Sequence, residues 1–110
     1  MYKIEGTTIY LTRGDSFYAE VEMIDKVTGE EYVPEEGDRV RFALKRRCED
    51  KTALLIKEIP IETQMLHLEP QDTKSLSFGE YVYDIELTTA SGDVDTFIWE
   101  AKFVLGKEVH

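Results

Sequence analysis

The chain has 110 residues, 42% of them hydrophobic, which is the size of one ordinary globular domain around a single core and leaves no room for two. Its 23 acidic residues outnumber 13 Lys and Arg, for a formal net charge of -10, and this disfavours nucleic acid, whose binders neutralise phosphates with clustered basic side chains. Cys48 is the only cysteine, so no internal disulfide forms, and no apolar run has the length of a secretory signal core or a membrane crossing. The expectation is a soluble protein of a reducing cytoplasm, with no membrane insertion.

Period-two alternation dominates the chain and predicts strands with one buried face. The first is Thr8 to Thr12, and Arg13-Gly14-Asp15 follows it. That tripeptide is also a cell-attachment signal of extracellular proteins, but turn chemistry explains it here: Gly tolerates positive φ and Asp bonds to nearby backbone, which leaves Arg13 incidental. Next, Phe17, Ala19, Val21 and Met23 share one face while Tyr18, Glu20 and Glu22 share the other. A Gly-, Pro- and acid-rich connection then turns near Thr28-Gly29 and Gly37-Asp38. In the following strand Val40, Phe42 and Leu44 oppose Arg39, Arg41 and Lys45.

Residues 53–59 and 64–69 read as two more strands, separated by Pro60 and a polar bend, and Pro70 ends the second. Residues 70–76 suit a single helical turn. The last third is a hairpin of residues 80–89 and 94–105 closing near Ser91-Gly92-Asp93. Tyr81, Tyr83, Ile85 and Leu87 line one face, opposite a row of Phe97, Trp99, Ala101, Phe103 and Leu105. About seven short strands without a helical period predict an antiparallel immunoglobulin-like β-sandwich, with a small barrel as the alternative. Leu76 and Gly79 ahead of Tyr81 fit a tyrosine corner, in which a hydroxyl bonds back to upstream backbone; Tyr81 is the first candidate and Tyr83 the second. Phe42, Tyr81, Trp99 and Phe103 are the expected core aromatics.

Catalytic and metal chemistry find little to build on. His67 alternates with Leu66 and Leu68 and so faces outward, and His110 is the last residue. Cys48 lies beside Arg46 and Arg47, which would lower its thiol pKa, but no base accompanies it. The acidic loops lack the ligand spacing of a calcium-binding helix-loop-helix, and a pair of glycosidase acids is recognisable only by separation in space. The expectation is therefore no enzyme, no metal and no cofactor. Arg39, Arg41 and Lys45 form a basic stripe that either meets acidic loops of another copy or pairs within the chain, with Glu20 and Glu22 as the expected internal partners. Tyr18, with Tyr10 and Tyr32, adds aromatic surface suited to protein contacts or to sugar stacking. The last hairpin strand, whose only basic residue is Lys102, is expected to offer an edge for docking if it borders the sheet.

Three stretches, residues 9–23, 35–45 and 68–105, resemble small immunoglobulin-like structural proteins of Gram-positive phages and prophages, including the amino-terminal domain of phage baseplate upper proteins. The resemblance rests on Gly14-Asp15, Asp72-Thr73, Leu76, Gly79-Glu80-Tyr81 and Thr96, all of them framework positions. It implies a non-enzymatic virion component of a tail or baseplate, made in the bacterial cytoplasm and then built into the virion through protein contacts with itself or with other phage structural proteins. A carbohydrate- or host-surface-binding module is the alternative.

Overall fold

Alternating residues become strands wherever one side of the backbone has a core to cover. The computed structural model, which describes residues 1–107, contains eight strands: β1 (Tyr2–Glu5), β2 (Thr8–Thr12), β3 (Phe17–Glu20), β4 (Arg39–Lys45), β5 (Leu55–Ile59), β6 (Met65–Leu68), β7 (Gly79–Thr88) and β8 (Val94–Gly106). One helix, α1 (Pro70–Lys74), makes the expected single turn. Pro70 starts it with the φ a first helical residue needs, and the Glu69 N–H donates to Asp72 Oδ2 at 2.8 Å. β1 is a strand that the alternation does not mark off from β2.

The fold is an all-β sandwich. A six-stranded sheet in the order β1-β2-β8-β7-β4-β5 faces a two-stranded sheet of β3 and β6. Every strand pairing is antiparallel except β2 with β8, which run parallel with Ile9 opposite Phe103 and Thr12 opposite Gly106. β8 thus lies between β2 and β7 rather than at a sheet edge. β7 accompanies it from Val94 to Leu105, whereas β2 reaches only Phe103–Gly106.

The inward faces of both sheets form one core. Phe17 of β3, Leu68 of β6, Phe42 and Leu44 of β4 and Phe103 of β8 are wholly removed from water. Each such burial contributes roughly 1.5–3 kcal/mol, so these side chains fix which way β3, β4, β6 and β8 face. β3 is shorter than its alternation predicts. Gln64 adopts φ 51° just before β6, and there the ladder changes character: the Val21 N–H donates to the Gln64 carbonyl at 2.7 Å and Gln64 Nε2 returns a bond to the Val21 carbonyl at 2.9 Å. Val21 and Met23 stay buried beyond the strand end.

Phe42, Tyr81 and Phe103 are buried as expected, but Trp99 is 67% exposed. The cause is a bulge. Tyr83 lies opposite Ala101 and Ile85 opposite Ile98, so Asp84 alone faces both Trp99 and Glu100. Glu100 takes φ 51° and its N–H donates to Asp84 Oδ1 at 2.9 Å. The extra residue breaks the inside-outside alternation, which makes Trp99 a surface residue rather than part of the core.

Candidate functional site

The turn after β2 is held by residues distant in sequence. Gly14 has φ 86°, a conformation that favours glycine, and its N–H donates to Thr73 Oγ1 at 2.9 Å. Thr73, in α1, is fully buried. The Asp15 N–H closes the turn on the Thr12 carbonyl at 3.1 Å, and the Asp15 carboxylate accepts from the amino group of Met1. Arg13 is not incidental. Its guanidinium lies 4.2 Å from the centroid of the Phe78 ring, and Nη1 donates to the Leu76 carbonyl at 3.4 Å. Arg13-Gly14-Asp15 is thus a turn whose side chains are engaged within the molecule.

The same end of the sandwich carries the tyrosine corner. Tyr81 donates its hydroxyl to the Ser77 carbonyl at 2.6 Å, and Leu76 packs partly buried against the core. Gly79 precedes the corner at φ 137°, where an added Cβ would sit 3.2 Å from Arg46 Nη2. That guanidinium covers the Tyr81 ring at 4.7 Å. Tyr83 uses its hydroxyl on the Thr7 carbonyl instead, and burial pushes its pKa up to about 12.

Alternation from the buried Phe42 and Leu44 places Arg39, Arg41 and Lys45 on the outer face of the large sheet. Arg39 forms a fork with Glu58, both bonds at 3.0 Å, and Arg41 donates to Glu86 at 3.3 Å. Arg39 and Arg41 are therefore paired within the chain, with acids of the neighbouring strands β5 and β7 rather than with Glu20 and Glu22, whereas Lys45 makes no ion pair among the described residues. The fork raises the pKa of Arg39 and lowers that of Glu58, each chiefly through their mutual hydrogen bond. Beside it a cleft of about 130 Å³ is lined by Arg41, Ala43, Lys45, Ile56, Asp84 and Glu86. Ile56 is 57% exposed at its side, and the neighbouring Leu54 is 51% exposed. Aliphatic floor with arginines already held in place is a composition suited to protein contact.

Tyr18 does not join this face. It lies on β3, opposite His67 of β6, and their rings stack at 4.2 Å with 9° between planes. His67 faces outward, as its alternation predicts. Tyr32 donates to Asp38 at 2.7 Å, a bond that, ahead of burial, pushes its pKa up to about 12. Tyr10 lies under Lys3, 5.8 Å from the ring centroid. The tyrosines therefore sit apart, each with its own neighbour. Cys48 is exposed, and the carboxylates of Glu100 and then Glu49 raise its thiol pKa, opposite to the lowering expected from Arg46 and Arg47. His110 lies outside the described residues, among which no group of His, Cys, Asp and Glu is placed to hold a metal ion. No helix among them is long and apolar enough to cross a membrane.

Sequence reasoning missed Glu58 and Glu86, whose roles depend on strand register, and it named Thr73 as a framework position without its partner, Gly14, 59 positions away. The only local signal was the period-two placement of Glu58 and Glu86 among apolar residues. In comparisons with known protein families, with curated proteins and with solved structures, none matched this chain.

Proposed function

We propose that this chain is a non-enzymatic structural protein of a phage or prophage virion, a tail or baseplate component that works by assembling with itself or with other phage proteins. One observation carries the reading. Of the residues behind the resemblance, those from Gly14 to Tyr81 meet at one end of the sandwich, where Gly14 bonds Thr73, Arg13 reaches Leu76 and Tyr81 closes its corner on Ser77, while Thr96 lies apart, opposite Glu86. The shared place of the former as one framework is what supports the reading. The outer face around Arg41, Lys45 and Ile56 supplies a contact surface on which the Arg41 guanidinium is already held by Glu86, so a partner covering it meets that group in place.

The test is to purify virions from a bacterium carrying the gene and to search them by mass spectrometry for this chain and for cross-links from Lys45. Stoichiometric presence with cross-links to an identified tail or baseplate protein is the expected result. Absence from virions, together with saturable binding to a glycan array, would replace this reading with the carbohydrate-binding one.

A further inference from the structure

β8 has two margins that are used unequally. On one, β7 accompanies it over almost its whole length; on the other, β2 pairs only with Phe103–Gly106. Among the described residues no strand pairs with the stretch Val94–Lys102 on that second margin. Its backbone N–H and C=O groups are a template for another strand. The bulge at Trp99 and Glu100 interrupts the template, and a second register shift leaves Phe97 unmatched between Thr96 and Ile98, so the stretch ahead of the bulge, Val94–Ile98, is itself bent once.

Two clefts open along this stretch. One, of about 230 Å³, lies between Ile24–Val27 and Asp95–Phe97. The other, of about 110 Å³, opens where the two sheets part, with Ile98, Ile4, Ala19 and Leu66 in its walls. Phe97 of the first cleft and Ile98 of the second are consecutive in β8, which brings both clefts within reach of one added strand. Their rims are acidic: Asp25 and Asp95 belong to the first cleft and Glu20 and Glu22 to the second, against Lys26 as the one basic lining residue.

We propose that the free half-edge of β8 accepts an extended segment of a partner protein, alternating basic and apolar residues, as a ninth strand. The inference rests on the assembly reading above and names the chemistry of the partner. Charge decides the occupant, since a second copy brings its own net charge of -10 to an acidic rim, whereas a basic segment is attracted to it. The other long edge is blunted. β5 turns Lys57 inward to Asp72 at 3.0 Å, and an inward charge on an edge strand discourages pairing.

A heptapeptide of alternating lysine and valine is the probe, titrated into the full chain. Fluorescence of Trp99, the only tryptophan, and amide hydrogen exchange are the readouts. The expected result is saturable binding with slowed exchange confined to Val94–Ile98. Of two peptides N-methylated at alternate residues, in opposite phases, one should bind about tenfold or more weakly, because its donors on the pairing side are gone. Asp95→Lys should weaken the lysine peptide about fivefold. The N-methylated peptides leave the protein untouched, so the test does not depend on any variant folding. The proposal is overturned by no saturation at millimolar peptide, by equal affinity for all three peptides, or by protection located elsewhere. It is also overturned if light scattering finds a dimer whose Val94–Ile98 amides are protected without peptide, since the occupant is then a second copy. Cross-links to a virion protein with no peptide binding would sink this inference alone, whereas absence from virions would sink the assembly reading.

Discussion

Replacing Thr73 by valine keeps the shape of the side chain and removes one oxygen. That oxygen accepts the Gly14 N–H at 2.9 Å, and Thr73 has no exposed surface through which water could substitute. A backbone N–H left without an acceptor costs about 1–3 kcal/mol, so Thr73→Val should destabilise the protein by about 2 kcal/mol. Thr73→Ser keeps the oxygen and loses one methyl group, at about 1 kcal/mol. Unfolding entropy near 2.1 cal/mol/K per residue gives ~230 cal/mol/K for a chain of 110 residues, so 2 kcal/mol lowers the melting temperature by about 9 °C. Urea titrations of the three proteins measure the difference, with slopes expected to agree because the surface exposed on unfolding is the same. A valine variant within about 0.5 kcal/mol of the original, or a serine variant worse than the valine one, would refute the claim that α1 holds the turn at Gly14.

Tyr81→Phe removes the corner bond to Ser77 and should cost about 1 kcal/mol in the same titration. Trp99→Ala should stay within about 0.5 kcal/mol, while Phe103→Ala loses about 3–5 kcal/mol; a large effect at Trp99 would contradict its exposure. Tyr32 and Tyr83 are both raised from 10.0 to about 12, so their contribution is complete below pH 10 and is lost between about 10 and 12, where the unfolded chain ionises first. Urea midpoints across that range should fall, and fall less steeply for Tyr83→Phe. Alkylation of Cys48 followed against pH should show a midpoint above 9.0, and Glu100→Gln should move it down by removing the largest cause of the shift.

Alternation made most strands legible, because a half-buried strand must repeat every second residue, and Val40-Phe42-Leu44 or Tyr81-Tyr83-Ile85-Leu87 can be read in no other way. The tyrosine corner was legible for a local reason: Tyr81 bonds only four residues upstream. What stayed hidden depends on pairing. The run Phe97-Ile98-Trp99-Glu100-Ala101 alternates on paper, and only the two-for-one match to Asp84 turns Trp99 outward. Likewise nothing near Arg39 or Arg41 names Glu58 or Glu86, which become neighbours only once β5 and β7 flank β4. Arg13 was misjudged because its partners, Leu76 and Phe78, arrive from the far side of the chain.

The parallel ladder between β2 and β8 also determines how the molecule carries a mechanical load. Met1 lies beside Thr12, and Thr12 lies opposite Gly106, so the beginning of the chain and the end of β8 are at the same end of the sheet. Tension applied at Met1 and Lys107 first peels β1 from β2, opening its hydrogen bonds one after another. Once β1 is straight, the pull enters β2 at Thr8 and leaves β8 at Gly106, the opposite end of the ladder. The rows from Ile9 opposite Phe103 to Thr12 opposite Gly106 are then loaded together, in shear. The sandwich therefore yields early at its first hairpin and resists at its second strand, like a short slack cord tied to a clamp.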